Sequence, residues 1–250
     1  MYNNHGMKKI IFSFDDALLD FYTNVFPILK KYGVKATLNV ITGFSDKTVP
    51  SDYRCCSIEQ LKEMSDYGIE IANHSDDHVF PEPLEGYDLA QKKLQKWFPD
   101  IQVCGVATPF TQQVPTGFFE WCIDNGIKYV RLGDCAPTRK IQRFIIKSQL
   151  ISHRRIYCIN NSHYSKKNKV KVIYSFPIMA NKSADEYKSI IELCSFNPRV
   201  TLMFHSLVKS GDKCNECQYP EGAWTINKFE ELVEWILKKG YKICRQCDTI

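Results

Sequence analysis

Short apolar runs alternate with amphipathic stretches along almost the whole chain, which is the pattern of a parallel α/β architecture. Strands are predicted over residues 8–14, 35–40, 69–73, 102–107, 128–132, 170–176 and 200–204, with a last short one near 241–244. The stretch 18–32 sets Leu18, Phe21, Tyr22, Val25, Ile28 and Leu29 on one stripe, and Gly33 follows where a helix commonly ends in a left-handed residue. Ser57-Ile58-Glu59-Gln60 has the form of a capping box opening a helix over 57–67, and Thr225 is placed to cap one over 225–239. A fourth helix is predicted over 116–125. No shift in composition divides the chain, so residues 1–250 read as a single domain.

The polar residues fall at one recurring place on this map. Asp15 and Asp16 follow the first strand and His74 the third. Pro109 follows the fourth, Arg131 and Asp134 go with the fifth, and His205 follows 200–204. In a parallel barrel the carboxyl ends of the strands gather on one face, where active sites are built. Asp16, His74 and His78 together offer the mixed oxygen and nitrogen donors that zinc-type ions take while leaving room for water, and the spare Asp15 can accept a proton. Each residue has a plainer reading alone. An aspartate pair after a strand is ordinarily a helix N-cap, and two histidines four apart are ordinarily structural or solvated.

At this level the residues resemble a family, the polysaccharide deacetylases with the NodB-homology domain. These are metal-dependent carbohydrate esterases that remove N- or O-acetyl groups. Phe12-Ser13-Phe14-Asp15-Asp16-Ala17 is similar to the family's first motif, His74-Ser75-x-x-His78 to its second and Leu202-Met203-Phe204-His205 to its fifth. Tyr32-Gly33-Val34-Lys35-Ala36-Thr37 and Gln60-Leu61-Lys62-Glu63-Met64 resemble the segments joining the first two motifs. The resemblance implies a distorted, TIM-like (β/α) barrel of about seven parallel strands. It implies a divalent metal, zinc before other ions, held by Asp16, His74 and His78. Asp15 would be the general base and His205 the acid that protonates the leaving amine. A backbone N–H of the Pro109-Phe110 segment would share the oxyanion, and Met203, of the same strand parity as His205, would floor a pocket for the acetyl methyl.

The departures are as specific as the matches. The family's third motif begins with an arginine that pairs with the base, but Val106-Ala107-Thr108-Pro109-Phe110 has alanine there. Tyr129-Val130-Arg131-Leu132-Gly133-Asp134 matches the fourth motif in part and lacks its tryptophan. Arg131 is therefore expected to reach Asp15 from the neighbouring strand, against a plain surface salt bridge, and Asp134 to orient His205.

Composition narrows the setting. The chain has 250 residues, 44% hydrophobic and 24% charged, enough for a substantial core and against disorder. Met1 to Gly6 lacks the apolar segment of a secretory signal, and no run is long enough to span a bilayer, so the expectation is a cytoplasmic protein with most of its eleven cysteines reduced. Cys214, Cys217, Cys244 and Cys247 form two CxxC pairs, readable as one structural zinc site, as disulfides or as free thiols. Residues 139–182 carry basic side chains and no acidic one. Such a field suits phosphorylated or lipid-linked sugars, or it is a solvated insertion; no nucleic-acid motif accompanies it. Two function classes follow: a deacetylase of an N-acetylated sugar or polysaccharide intermediate, or a relative with little or no turnover that binds carbohydrate. Hydrolysis of another non-peptide C–N bond is the enzymatic alternative.

Overall fold

The computed structural model describes residues 7–110, 114–133, 152, 155, 158–159, 164–167, 169–194, 197–209 and 223–250. The strands are β1 (Lys9–Phe14), β2 (Thr37–Val40), β3 (Glu70–Asn73), β4 (Gly105–Ala107), β5 (Tyr129–Leu132), β6 (Tyr164–Lys167), β7 (Val170–Tyr174), β8 (Phe176–Pro177), β9 (Arg199–Phe204), β10 (Leu207–Val208), β11 (Trp224–Thr225) and β12 (Lys242–Cys244). The helices are α1 (Phe26–Tyr32), α2 (Thr42–Ser45), α3 (Ile58–Tyr67), α4 (Leu84–Trp97), α5 (Phe118–Asp124), α6 (Ala184–Leu193) and α7 (Ile226–Lys238).

The main sheet runs β6-β7-β5-β4-β3-β2-β1-β9-β8, with β12 beside β1. All its pairings are parallel except β6 with β7. The segment predicted as one strand over 170–176 breaks at Ser175. Its first part pairs with β5 and its second with β9, so one stretch of chain touches both ends of the sheet and curls it nearly into a barrel. The Ser175 hydroxyl donates to the Leu132 carbonyl at 2.9 Å and ties down the switch.

Alternation along each strand sorts the side chains. Ile10, Phe12 and Phe14 of β1 and Val200, Leu202 and Phe204 of β9 face the helices, where they are fully buried. Phe14 stacks on Phe204 at 4.7 Å, and Phe12, Phe14 and Phe204 all meet Phe229 of α7. Each such ring contributes roughly 1.5–3 kcal/mol by leaving water. The opposite parity turns inward, and there polar residues such as Ser13, Thr37, Asn39, Glu70 and Arg131 are buried among a few apolar ones. At the amino end of the barrel, Glu70 accepts from the Thr37 hydroxyl at 2.7 Å, from the Tyr129 hydroxyl at 2.9 Å and from the Cys247 amide at 3.0 Å. Gln246 bonds Thr201 and Thr37, so the segment after β12 plugs that end.

Three helices, the single turn α2 and the longer α4 and α6, arise where the sequence reading set no helix range. The predicted helix over 18–32 is shorter: a π-turn over Phe21–Val25 leads into α1. Asp16 and Ala17 have φ of 70° and 50°, which keeps the chain out of a helix directly after β1. Gly33 ends α1 at φ 64°, the Ser57–Gln60 capping box opens α3, and Thr225 caps α7 through the Lys228 amide. Among the described residues no helix is long and apolar enough to cross a membrane.

Candidate metal centre and catalytic residues

At the carboxyl end of the barrel, Asp16, His74 and His78 bring one donor atom each to within 4.8 Å of one another, all buried. Asp16 Oδ1 lies 3.3 Å from His74 Nε2 and 3.6 Å from His78 Nε2. It is a buried carboxylate oxygen without a hydrogen-bond partner. His74 Nδ1 stands 2.9 Å from the Ala107 carbonyl. A carbonyl can only accept, so Nδ1 carries a proton and Nε2 is the ring atom left to face an ion beside Asp16. An orphaned carboxylate oxygen facing two imidazole nitrogens fits a divalent ion of the zinc type, with its remaining positions open.

Burial and charge act in opposite senses on these groups. Burial favours the neutral acid at Asp16, but the surrounding imidazoles of His74, His205 and His78 outweigh it and hold the carboxyl far below the usual range. Burial, helped by His74, pushes His78 down to about 4, so it is a neutral donor at neutral pH.

Asp15 is held differently. Its Oδ1 accepts from Asn39 Nδ2 at 2.7 Å and from the Arg131 guanidinium, while Oδ2 points to His205 Nε2 at 3.9 Å. One oxygen is thus occupied by two donors and the other faces His205. Burial would raise the Asp15 carboxyl; Arg131, with His74 and His205, reverses the shift and keeps it ionised. The guanidinium arrives from β5 because Arg131 pairs in register with Ala107 of β4. It therefore enters at the level of the missing third-motif arginine, one strand over. Met203 lies with Sδ 2.7 Å from Arg131 Nη1, so its side chain packs against the support of Asp15.

The loops carrying these residues are locally strained. Asp16, Ser75, His78 and Phe110 have φ of 70°, 65°, 53° and 49°. Such left-handed residues cost roughly 1–3 kcal/mol each and gather where the surroundings over-determine a geometry. The supports are visible. The Ser75 hydroxyl accepts from the His78 amide at 3.1 Å and Asn73 Oδ1 from the Ser75 amide at 2.9 Å. Asp76 is buried between Thr42 and Lys93. Glu82 Oε2 accepts from the Val79 amide at 3.1 Å, and burial pushes this carboxyl up to about 7. After β9, the Asp20 carboxylate accepts from the Ser206 hydroxyl and the Leu207 amide, and Asn24 donates to the Leu207 carbonyl at 2.7 Å, fixing the turn beside His205.

Sequence reasoning missed Asn39, Asp20, Asn24 and Asp76. The signal for Asn39 was its polarity between Leu38 and Val40 on a buried strand; the others sit outside strands, where polar residues are ordinary. Phe110 packs its ring 4.6 Å from His78, and Pro109 is buried beside it. Asp134, Cys214 and Cys217 lie outside the described residues, as does half of the basic stretch 139–182. Cys244 is buried on β12, its thiol pushed up to about 11 by burial, and Cys247 is half-buried; both are free thiols, and among the described residues they join no metal-ligand cluster.

The profile of the polysaccharide deacetylase family matches residues 2–105, which hold the aspartate pair and both histidines. YxkH of Bacillus subtilis (strain 168), named for a presumed polysaccharide deacetylase activity, is 39% identical over 72 residues, a stretch that is 29% of this chain and 24% of YxkH. The chain thus matches about a quarter of the length of that relative. Among solved structures, the Xyl-CE4 domain of a multidomain xylanase from the hindgut metagenome of Trinervitermes trinervoides aligns at a TM-score of 0.50 and 15% identity, covering 97% of this chain and 89% of that one. The polysaccharide deacetylase Bc1974 from Bacillus cereus aligns at 0.53 and 11%, covering 95% and 91%. At such identities the structures share the fold. The profile over residues 2–105 and the relative support the polysaccharide deacetylase family, and the solved structures share the fold.

Proposed function

We propose that this chain is a metal-dependent hydrolase that removes acetyl groups from an N-acetylated sugar or polysaccharide intermediate. The observation that carries the reading is the division of labour between adjacent carboxylates. Asp16 faces His74 and His78, whereas Asp15 has one oxygen saturated by Arg131 and Asn39 and the other turned to His205. A zinc-type ion held by Asp16 Oδ1, His74 Nε2 and His78 Nε2 would lower the pKa of a bound water towards ~7 and polarise the acetyl carbonyl.

The chain's own residues supply the rest. Asp15 Oδ2 accepts the proton of the attacking water. Arg131 and Asn39 keep that carboxylate ionised and aimed. His205 donates a proton to the sugar nitrogen as the C–N bond breaks, giving acetate and a free amine. The Phe110 amide donates to the oxyanion, and Met203 borders the pocket for the acetyl methyl. The alanine at 107 would favour a carbohydrate binder without turnover; the contact of Arg131 with Asp15 supports the catalytic reading instead.

The test is acetate release from N-acetylglucosamine oligomers by metal-loaded protein, before and after chelation. Release that disappears with chelator and returns with a divalent ion is expected. Release that survives complete metal removal, or none from any acetylated sugar, contradicts the reading.

A further inference from the structure

The rim of the site carries an aromatic face that the proposed chemistry does not use. Phe80, two residues beyond His78, is 61% exposed, and Val79 beside it is 41% exposed. Contiguous exposed apolar surface beside a cleft is a mark of binding. The Phe80 ring meets Phe110 edge-on with centroids 5.6 Å apart, and Phe110 packs on His78 at 4.6 Å. A continuous path of rings therefore leads from a member of the ligand cluster out to solvent. Its inner part is firmly set, because His78 and Phe110 both hold left-handed backbone that only a fixed surrounding maintains.

We propose that Phe80 is a stacking platform for the sugar ring next to the one whose acetyl group enters the site. The inference rests on the deacetylase reading above. A pyranose presents a face of C–H bonds while its hydroxyls radiate from the edge. A flat ring without polar atoms covers that face and leaves the hydroxyls in water, which suits Phe80. The exposed patch, one ring and an adjacent valine, is far below the roughly 800 Å² per partner of a stable protein interface, and its size matches a single sugar. The substrate class so defined is an oligosaccharide rather than a monosaccharide.

The experiment is calorimetric titration of metal-loaded Asp15→Asn protein, which binds without turnover, with an N-acetylglucosamine tetramer and with the monosaccharide. Phe80→Ala should weaken the tetramer about tenfold, or about 1.4 kcal/mol, and leave the monosaccharide unchanged. Phe80→Trp should restore the tetramer, and Leu89→Ala, which removes an exposed leucine from α4, should change nothing. An unaltered tetramer Kd in Phe80→Ala overturns the platform, as does failure of the parent protein to bind the tetramer. Acetate release by the wild type judges the catalytic reading separately. Release with a Phe80-independent Kd sinks the platform alone, whereas tetramer binding through Phe80 without release from any sugar sinks the deacetylase and leaves the platform.

Discussion

Arg131→Ala is the substitution that asks most of this site. The guanidinium and the Asp15 carboxylate are both buried, with side chains 1% and 4% exposed, and no solvent stands by to replace either partner. Removing one member of such a pair costs about 3–5 kcal/mol, because it strands the other charge. Asn39 still donates to Oδ1, which places the expected loss near the lower end, about 3 kcal/mol. The pH dependence carries the signature. In the wild type the Asp15 carboxyl lies below its ordinary value, so its contribution is present above that value and is lost only as pH falls through the folded pKa. Without Arg131, burial dominates and the pKa rises. The deficit of the variant should then be largest near neutral pH and shrink in acid. Urea denaturation of metal-free protein across the pH range reads this directly. In the loaded enzyme the acid limb of kcat/KM should move towards neutrality. In an Asp15→Asn background, Arg131→Ala should destabilise far less, since no charge is stranded. Equal denaturation midpoints and an unmoved acid limb would refute the ion-pair argument.

Other sites give shorter tests. His74→Ala or His78→Ala should abolish stoichiometric metal, measured by elemental analysis after gel filtration, while circular dichroism stays native; retention of one equivalent would remove that histidine from the ligand set. Glu82, whose carboxyl burial pushes up to about 7, stabilises fully below the ordinary glutamate value and loses that contribution as pH rises through 7. Glu82→Gln should therefore flatten the fall of the denaturation midpoint between pH 5 and 8; an unchanged slope argues against the raised carboxyl. Glu70→Ala strands three buried donors, those of Thr37, Tyr129 and the Cys247 amide, and should lower stability by about 2–4 kcal/mol. Proteolysis at the released carboxyl-terminal segment is the sensitive readout.

The strands were legible because period-two alternation survives in the sequence. Phe12 and Phe14 mark one face of β1 and Ser13 and Asp15 the other. The nearly closed barrel followed from strand–helix alternation, but its closing device did not, since the break at Ser175 is set by which strands are available on either side. Helices α4 and α6 were readable in principle: Leu84, Tyr87, Ala90 and Leu94 recur at helical spacing, and Ser183 with Glu186 forms a capping box. The stripe over 18–32 correctly marked buried residues, yet a stripe cannot say which hydrogen bonds close, and the left-handed Asp16 and Ala17 delay the helix. At the site, residue types and strand ends pointed to Asp15, Asp16, His74, His78 and His205. The partner of Asp15 depends on register, with Arg131 opposite Ala107, and Asn39 and Asp20 acquire meaning only once β1, β2 and β9 are side by side.

The central claim is that Asp15 moves a proton while Asp16 holds the ion. Turnover of an N-acetylglucosamine oligomer by Asp15→Asn at matched metal content tests it most directly. The account predicts full metal occupancy with a rate lowered roughly 10²–10⁴-fold. A wild-type rate at full occupancy would contradict it.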